Sequence, residues 1–172
     1  MKKAGKEEKA VFGLFGTDCR LYAVTKGVLY PLDEVKDEMF SKKMLGDGFA
    51  IKPQETVVRA PCDGIIQVLP DSKHAFGIRC DNGQEILIHI GIDTVMLKGE
   101  GFEAFVKVNE RVKKGQKIIS FDEVLLKEGT YDMSVMVLLL NGTYRITHIT
   151  KKMNQRVQAE EEIIRYRRVK NH

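Results

Sequence analysis

The chain has 172 residues, with 28 Lys and Arg against 24 Asp and Glu, for a formal net charge of +4. This length favours one compact domain with its own core, and 43% apolar with 30% charged residues excludes a mostly disordered chain. The longest uninterrupted apolar stretch, residues 135–140, is far short of the ~20 residues that span a bilayer, so we expect no membrane-spanning segment.

The positive charge is concentrated at the two ends of the chain. Residues 1–11 carry four Lys against two Glu, and residues 151–172 carry seven Lys and Arg against three Glu, which leaves 17 basic and 19 acidic residues between them. A nucleic-acid-binding protein normally carries a basic stripe on the domain itself, so we expect no nucleic-acid partner. We interpret residues 1–24 as a flexible arm in front of one domain at 25–172. A membrane-surface contact by the apolar residues of this arm is the alternative interpretation.

The amino-terminal segment is not typical of a secretion signal. Glu7 and Glu8 interrupt its basic region, and the apolar run that follows is at the short limit for such signals. We therefore expect a cytoplasmic protein. Its cysteines, Cys19, Cys62 and Cys80, are odd in number and lack paired metal-type spacing, which predicts reduced thiols and no cysteine-based zinc site.

Short β-rich runs separated by Gly-containing polar turns follow one another along the chain. The clearest runs are residues 56–59, 65–69, 85–90, 117–121 and 134–140. Turns recurring every 8–15 residues with little helical periodicity are typical of an all-β sandwich or barrel. We therefore predict an all-β fold built on antiparallel sheets.

The Asn82-Gly83 pair predicts a hairpin that brings two histidines together. If these two residues form the loop, Asp81 pairs with Gln84, and His74 and His89 become diagonal neighbours on one face, with Cα atoms ~7–8 Å apart. A loop one residue longer, in which Cys80 pairs with Gln84, instead places the two histidines on opposite faces of the hairpin. In the first register Phe76 lies opposite His89, and Leu87 shares its face.

Several ordered motifs closely resemble the glucose-family enzyme IIA component of the bacterial phosphoenolpyruvate:sugar phosphotransferase system. They are residues 46–51 (GDGFAI), 60–64 (APCDG), 74–76 (HAF), 88–95 (IHIGIDTV), 97–102 (LKGEGF) and 112–115 (VKKG). The resemblance extends over about residues 29–169. It implies an antiparallel β-sandwich, a barrel-sandwich hybrid with jelly-roll and Greek-key connections.

The resemblance also implies the roles of individual residues. His89 is implied to accept a phosphoryl group from the histidine-containing phosphocarrier protein and to donate it to a cysteine of a sugar-permease IIB domain. His74 is implied to stabilise the phosphoryl group, and Ser72, where relatives have Thr, to orient His74. The residues expected to contact partners or to border the site are Asp37, Phe40, Phe76, Leu87 and Asp93.

Imidazole chemistry suits such transfer, because a neutral histidine is available as a nucleophile near pH 7. Transfer between two protein groups requires in-line positioning and charge stabilisation, so we expect no metal or organic cofactor. A regulatory binding module controlled by phosphorylation, acting on transporters or enzymes, is the alternative function. In enteric relatives a zinc ion can bridge the two histidines to a partner's carboxylate, which makes His74 and His89 a regulatory zinc candidate.

Two other classes of protein fit the sequence less well. A zinc metallopeptidase on a related β scaffold usually has a His-x-His pair and a third ligand, but Leu87 and Gly91 flank His89 at that spacing. A biotinyl or lipoyl carrier domain presents its modified lysine in a Met-Lys-Met or Asp-Lys-Ala turn, and neither tripeptide occurs.

Overall fold

Strands are the most abundant regular structure of the folded chain, as the spacing of the turns predicts. The computed structural model describes residues 18–140, 142 and 144–169. Within them the strands are β1 Cys19–Tyr22, β2 Gly27–Tyr30, β3 Gly46–Pro53, β4 Val57–Arg59, β5 Gly64–Val68, β6 Ala75–Cys80, β7 Glu85–Ile90, β8 Phe102–Ala104, β9 Arg111–Val112, β10 Lys117–Phe121, β11 Val135–Leu140, β12 Tyr144–Ile149, β13 Arg156–Val157 and β14 Glu162–Arg168. The helices are α1, Glu38–Ser41, and α2, Glu123–Lys127, with 3-10 turns at Leu32–Glu34 and Thr94–Leu97.

The strands form antiparallel sheets, which confirms the predicted all-β sandwich class. An eight-stranded sheet has the order β13-β2-β3-β11-β7-β6-β5-β9, and two three-stranded sheets have the orders β4-β10-β8 and β1-β14-β12. No helix of the described residues is long and apolar enough to cross a bilayer. Strand β7, which carries His89, lies inside the large sheet between β6 and β11.

The two faces of β7 belong to two different apolar clusters. Ile86, Ile88 and Ile90 are fully buried in the main core, as their alternation predicts. The other face carries Leu87 and His89. A smaller cluster covers this side of the sheet and includes Phe40, Met136 and Leu138, with Leu87 packed against it. His89 therefore lies on the face opposite the main core.

The β6–β7 hairpin has the longer of the two loops considered from the sequence. Ala75 pairs with His89 and Arg79 with Glu85, so the predicted pairing of Asp81 with Gln84 is wrong by one residue. The Cys80 N–H donates to the Gln84 carbonyl at 2.9 Å, which closes a three-residue loop, and Gly83 in this loop has φ +89°. Loops of two and of three residues both place a glycine at positive φ. The Asn82-Gly83 dipeptide therefore predicts a hairpin but not the length of its loop.

The corrected register moves Phe76 to the other face of the sheet. Phe76 pairs with Ile88, is fully buried and belongs to the main core. Its predicted place beside His89 and its predicted contact with partners are therefore wrong, because one residue of register shift reverses the face of every side chain in the strand.

The folded domain also begins earlier than predicted. Strand β1 pairs with β14, and Leu21, Ala23 and Val24 are buried, so the residues from Cys19 onward belong to the domain rather than to an arm ending at residue 24. The predicted flexibility or membrane contact of the preceding segment concerns residues 1–17, which lie outside the described residues.

Cysteine pairing differs from the prediction too. Cys62 and Cys80 form a disulfide, with Cα atoms 6.3 Å apart, while Cys19 is a free thiol. Their separation of 18 residues carries no sequence signal for this pairing. The β5–β6 ladder, in which Gly64 pairs with Cys80, brings the two cysteines together.

Candidate functional site

The imidazole rings of His74 and His89 lie side by side at the end of the β6–β7 hairpin opposite its loop. Their centroids are 5.0 Å apart and their planes meet at 76°. The sequence predicted this neighbourhood, but through the wrong register. In the observed ladder the first pair is Ala75 with His89, so His74 lies just before the strand, where strand alternation no longer fixes the side-chain direction.

Local backbone geometry sets the direction of His74. Lys73, the residue before it, has a left-handed φ of 51°, and the Ile90 N–H donates to the His74 carbonyl at 2.7 Å. The Ser72 hydroxyl lies 2.6 Å from Nδ1 of His74. When this hydroxyl donates to Nδ1, the ring carries its proton on Nε2, which can then donate to a group held between the two histidines.

A backbone carbonyl fixes the tautomer of His89. Nδ1 of His89 lies 2.9 Å from the carbonyl oxygen of Gly91. Because a carbonyl only accepts, Nδ1 carries the proton, and Nε2 keeps its lone pair. This is the protonation state that a nucleophilic imidazole requires.

The turn after β7 holds that carbonyl in place. Gly91 has a φ of +78°, and a Cβ at this position would lie 2.4 Å from Cγ2 of Thr94. The Gly91 N–H donates to the Ser134 carbonyl at 2.8 Å, and the buried Thr94 hydroxyl donates to the Ile90 carbonyl. Glycine is therefore needed here both for its backbone conformation and for the close approach of Thr94.

Burial keeps both imidazoles neutral. Desolvation, together with a smaller contribution from the neighbouring His74, lowers the pKa of His89 from its ordinary 6.5 to about 4. The Gly91 carbonyl, Asp37 and Asp93 act in the opposite direction. Burial also lowers the pKa of His74. At neutral pH the lone pair on Nε2 of His89 is therefore available.

The two predicted acidic residues lie around the site. Asp37 precedes α1, and its carboxylate accepts from the Met39 N–H at 2.9 Å. Asp93 is exposed and adopts a left-handed φ of 60° just before the Thr94–Leu97 turn. The negative charges of both carboxylates raise the pKa of His89, against the larger effect of burial.

Apolar side chains enclose one side of His89. The rings of Phe40 and His89 have centroids 5.0 Å apart, and Phe40 is 3% exposed, so it packs against the imidazole. Leu87 is half-buried in the same small cluster. Sequence reasoning missed the exposed apolar residues on the flanking segments, which are Met39, Met44, Val95 and Met96 at 48%, 63%, 49% and 69% exposure.

The other candidate groups lie elsewhere. His148 is exposed on β12, with Nδ1 3.6 Å from Asp18, and His172 lies outside the described residues. No group of three or more His, Cys, Asp or Glu side chains in the described residues could hold a metal ion. Among these residues a zinc ion at the histidine pair would therefore have two imidazole ligands, fewer than a protein zinc site normally supplies.

Comparison with protein families gives a match over residues 19–144, more than half of the chain. The matching model describes the EIIA 1 family of the phosphoenolpyruvate-dependent sugar phosphotransferase system. The match contains all of the residues discussed at the histidine pair.

Individual relatives agree with this match. A glucose-specific EIIA component of Bacillus cereus is 43% identical over 135 residues, covering 77% of this chain and 82% of the relative. A glucose-specific EIICBA component of Staphylococcus saprophyticus is 46% identical over 106 residues, which span 62% of this chain but only 16% of that longer protein. A solved structure, the glucose permease IIA of Mycoplasma capricolum, has a TM-score of 0.79 and 37% identity, covering 88% of this chain and 97% of its own.

Proposed function

Since this chain belongs to the EIIA family of the phosphoenolpyruvate-dependent sugar phosphotransferase system, we propose that Nε2 of His89 carries a phosphoryl group between two other proteins of that system. The donor is the histidine-containing phosphocarrier protein. The acceptor is a cysteine of a sugar-permease IIB domain, and the exchange takes place in the cytoplasm. The observation that carries the proposal is the bond between Nδ1 of His89 and the Gly91 carbonyl, which leaves Nε2 as the nucleophile.

In the proposed reaction, Nε2 of His89 attacks phosphorus while the bond from phosphorus to the phosphocarrier's imidazole breaks. The proton on Nδ1 stays in its bond to Gly91, so the new phosphohistidine keeps the same orientation. No proton needs to leave His89 beforehand, because burial keeps it neutral. The second transfer reverses these roles, with the cysteine thiolate as nucleophile and His89 as leaving group.

His74 has the role of stabilising charge on the transferred group. Its ring is next to that of His89, and the Ser72 hydroxyl at Nδ1 favours the tautomer that donates from Nε2. A donor aimed at the phosphoryl oxygens stabilises them most in a site from which water is largely excluded. Phe40 and Leu87 provide that exclusion on one side and slow hydrolysis of the phosphohistidine.

The surroundings of the site suit docking of a basic partner. Asp37 and Asp93 are the carboxylates whose charges raise the pKa of His89. Exposed apolar residues such as Met39 and Met96 lie on the same segments of the chain. Charged rim residues accelerate encounter, while apolar contacts are desolvated in the complex. These residues form the proposed contact surface for the phosphocarrier and the IIB domain.

Labelling with phosphoenolpyruvate, enzyme I and the phosphocarrier tests the proposal. We expect one acid-labile phosphoryl group per chain in the parent protein, none in His89→Gln, and full labelling in the matched control His148→Gln. Strong labelling of a folded His89→Gln protein would disprove the assignment of the acceptor.

The alternative function, a regulatory binding module, stays a prediction. It is favoured by the exposed methionines on the segments that carry Asp37 and Asp93, which are Met39, Met44 and Met96, because flexible thioether side chains adapt to several partners. It predicts complexes with transporters or enzymes that form without a IIB domain and that dissociate when His89 is phosphorylated. Partner affinity measured before and after phosphorylation would detect this, and equal affinities would exclude it.

A further inference from the structure

A pocket lies at the loop end of the β6–β7 hairpin, away from the histidines. Its volume is about 580 Å³, and the residues around it include all three cysteines of the chain. Cys62 and Cys80 form the disulfide, and Cys19 is the free thiol. Nothing in phosphoryl transfer at His89 uses this pocket or its sulfur atoms.

The disulfide joins backbone segments that hydrogen bonds already hold together. Gly64 pairs with Cys80 in the β5–β6 ladder, and the Asp81 N–H donates to the Asp63 carbonyl at 3.3 Å. The Lys114 N–H also donates to the Asp63 carboxylate, at 2.7 Å. Opening the disulfide would therefore leave this corner of the fold connected, which is the condition for a bond that breaks and reforms in the native protein.

The pocket also gives external thiols a route to the disulfide. Cys62 and Cys80 are 8% and 5% exposed, and both face the pocket among its lining residues. Cys19 on β1 is half-buried, and its strand partner is Tyr166, which lines the same pocket. A group attached to Cys19 would therefore occupy the space through which a thiol approaches.

Charged side chains of both signs line the pocket. Nζ of Lys114 lies 4.2 Å from the ring centroid of Tyr22, which keeps this cation at the pocket, and Arg20 is a second lining cation, paired with Glu162 at 3.4 Å. The carboxylates of the pocket are engaged by other donors: Asp18 by Arg167, Asp63 by the Lys114 N–H and Asp81 by Arg111. An incoming thiolate, the reactive form in exchange, therefore approaches carboxylates that already accept from other donors.

We propose that Cys62 and Cys80 are a reversible thiol–disulfide pair that dithiols reduce through this pocket. A dithiol's thiolate attacks one sulfur of the disulfide, forming a mixed disulfide and releasing the other cysteine as thiolate, which takes up a proton. The dithiol's second thiol then displaces the first cysteine, so two cysteine thiols and one cyclic disulfide result, with two electrons transferred. Reoxidation by a small disulfide reverses the change and releases two thiols.

The cytoplasmic location proposed above strengthens this assignment. Disulfides that form in the reducing cytoplasm are usually transient, catalytic or redox-sensing. Both states of the pair are then populated, reduced and oxidised. The tests below measure thiols directly, so their outcome is independent of whether His89 carries a phosphoryl group.

Counting alkylated thiols in folded protein tests reversibility. In Cys19→Ser, which removes the free thiol, we expect no alkylation after treatment with glutathione disulfide. After dithiothreitol under native conditions we expect two alkylated residues, Cys62 and Cys80, and a second treatment with glutathione disulfide should restore the first result. A disulfide reduced only after addition of denaturant, or thiols that never reoxidise, would overturn the proposal.

Blocking Cys19 tests the route of entry. We expect a bulky polyethylene glycol maleimide on Cys19 to slow native reduction of the disulfide by dithiothreitol at least tenfold, and the small carbamidomethyl group to slow it far less. The same reagents should leave the reduction rate of Cys19→Ser unchanged. Equal reduction rates with both modifications would overturn entry through the pocket.

Discussion

At the scale of single residues, the chemistry of His89 depends on which nitrogen is free. The Gly91 carbonyl at 2.9 Å binds the proton on Nδ1, and burial lowers the pKa of the ring to about 4. The two effects act together, since one keeps the ring neutral and the other directs its lone pair to Nε2. A surface histidine has neither property, because its pKa stays near 6.5 and its tautomers exchange.

We predict that the imidazole nitrogens of His89 do not titrate between pH 8 and pH 5.5. His89 binds a proton near pH 6.5 in the unfolded chain but only near pH 4 in the folded chain. Protonation therefore favours the unfolded chain, and this residue makes the protein less stable as the pH falls from about 6.5 to about 4. Nitrogen NMR of histidine-labelled protein measures the midpoint directly. A midpoint near 6.5 would contradict the burial of the site, and His148→Gln identifies the exposed ring's signals for comparison.

We predict that Ser72→Ala slows phosphoryl transfer without unfolding the protein. The hydroxyl lies 2.6 Å from Nδ1 of His74, and the loss of one hydrogen bond, worth ~1 kcal/mol, corresponds to about a fivefold slower step. Ser72→Thr keeps the hydroxyl and should restore the rate. Stopped-flow or quench-flow labelling gives the rates, and equal rates for the Ala and Thr variants would remove Ser72 from a positioning role.

At the scale of elements, the β6–β7 hairpin shows what local sequence can and cannot specify. The strand of residues 85–90 and its alternating core face were predictable, because Ile86, Ile88 and Ile90 share one face. The register was not, because both loop lengths place a glycine at positive φ. The loop is also held from outside the hairpin, since the Asn82 side chain donates to the Tyr166 hydroxyl at 2.8 Å.

The two histidines lie side by side even though the observed register differs from the predicted one, and the reason lies outside the paired residues of the two strands. His74 precedes the first paired residue, and the left-handed backbone at Lys73 and the hydroxyl of Ser72 set its direction. Strand alternation alone would separate it from His89 in the observed register. The resemblance to the family predicted this pair more reliably than strand geometry did. Relatives that share the motifs also share the turn that directs His74, whereas strand alternation says nothing about a residue outside the strand.

We predict that Gly91→Ala impairs both folding and phosphorylation. The Cβ would lie 2.4 Å from Thr94 Cγ2 at a φ of +78°, so the turn and its carbonyl must move. Backbone strain and the clash should cost ~2–3 kcal/mol in denaturant unfolding. The labelling rate at His89 should fall because its tautomer is no longer fixed.

Gly129→Ala is the matched control for this variant. Gly129 has a similar φ of +66°, but a Cβ there meets nothing within 4 Å. We expect a cost of ~1 kcal/mol from the backbone alone and an unchanged labelling rate. If the two variants lost equal stability and labelled equally well, the close packing of Thr94 would have no part in positioning the carbonyl.

At the scale of the whole molecule, the sequence was most informative about class and least informative about long-range contacts. The recurring turns predicted an antiparallel β protein, and the sheets confirm it. The pairing of β1 with β14, nearly the full length of the chain apart, has no local signal, so the sequence alone predicts an arm that includes residues 19–24. The disulfide between Cys62 and Cys80 likewise depends on the β5–β6 ladder.

We predict that reducing this disulfide leaves the protein folded but less resistant to denaturant. Closing a loop of 18 residues stabilises a fold by roughly 3 kcal/mol in the chain-entropy account. Urea unfolding followed by circular dichroism, with and without reductant, measures the difference. The double variant Cys62→Ser with Cys80→Ser should show no response to reductant, and identical curves for oxidised and reduced parent protein would contradict the prediction.

The central claim is that the phosphoryl group is bonded to Nε2 of His89, and the nitrogen that carries phosphorus can be observed directly. Protein labelled with nitrogen-15 histidine and phosphorylated through the phosphocarrier should show phosphorus–nitrogen coupling at Nε2 of His89 alone, with Nδ1 still protonated. Coupling at Nδ1, or at the nitrogens of another histidine, would contradict the account.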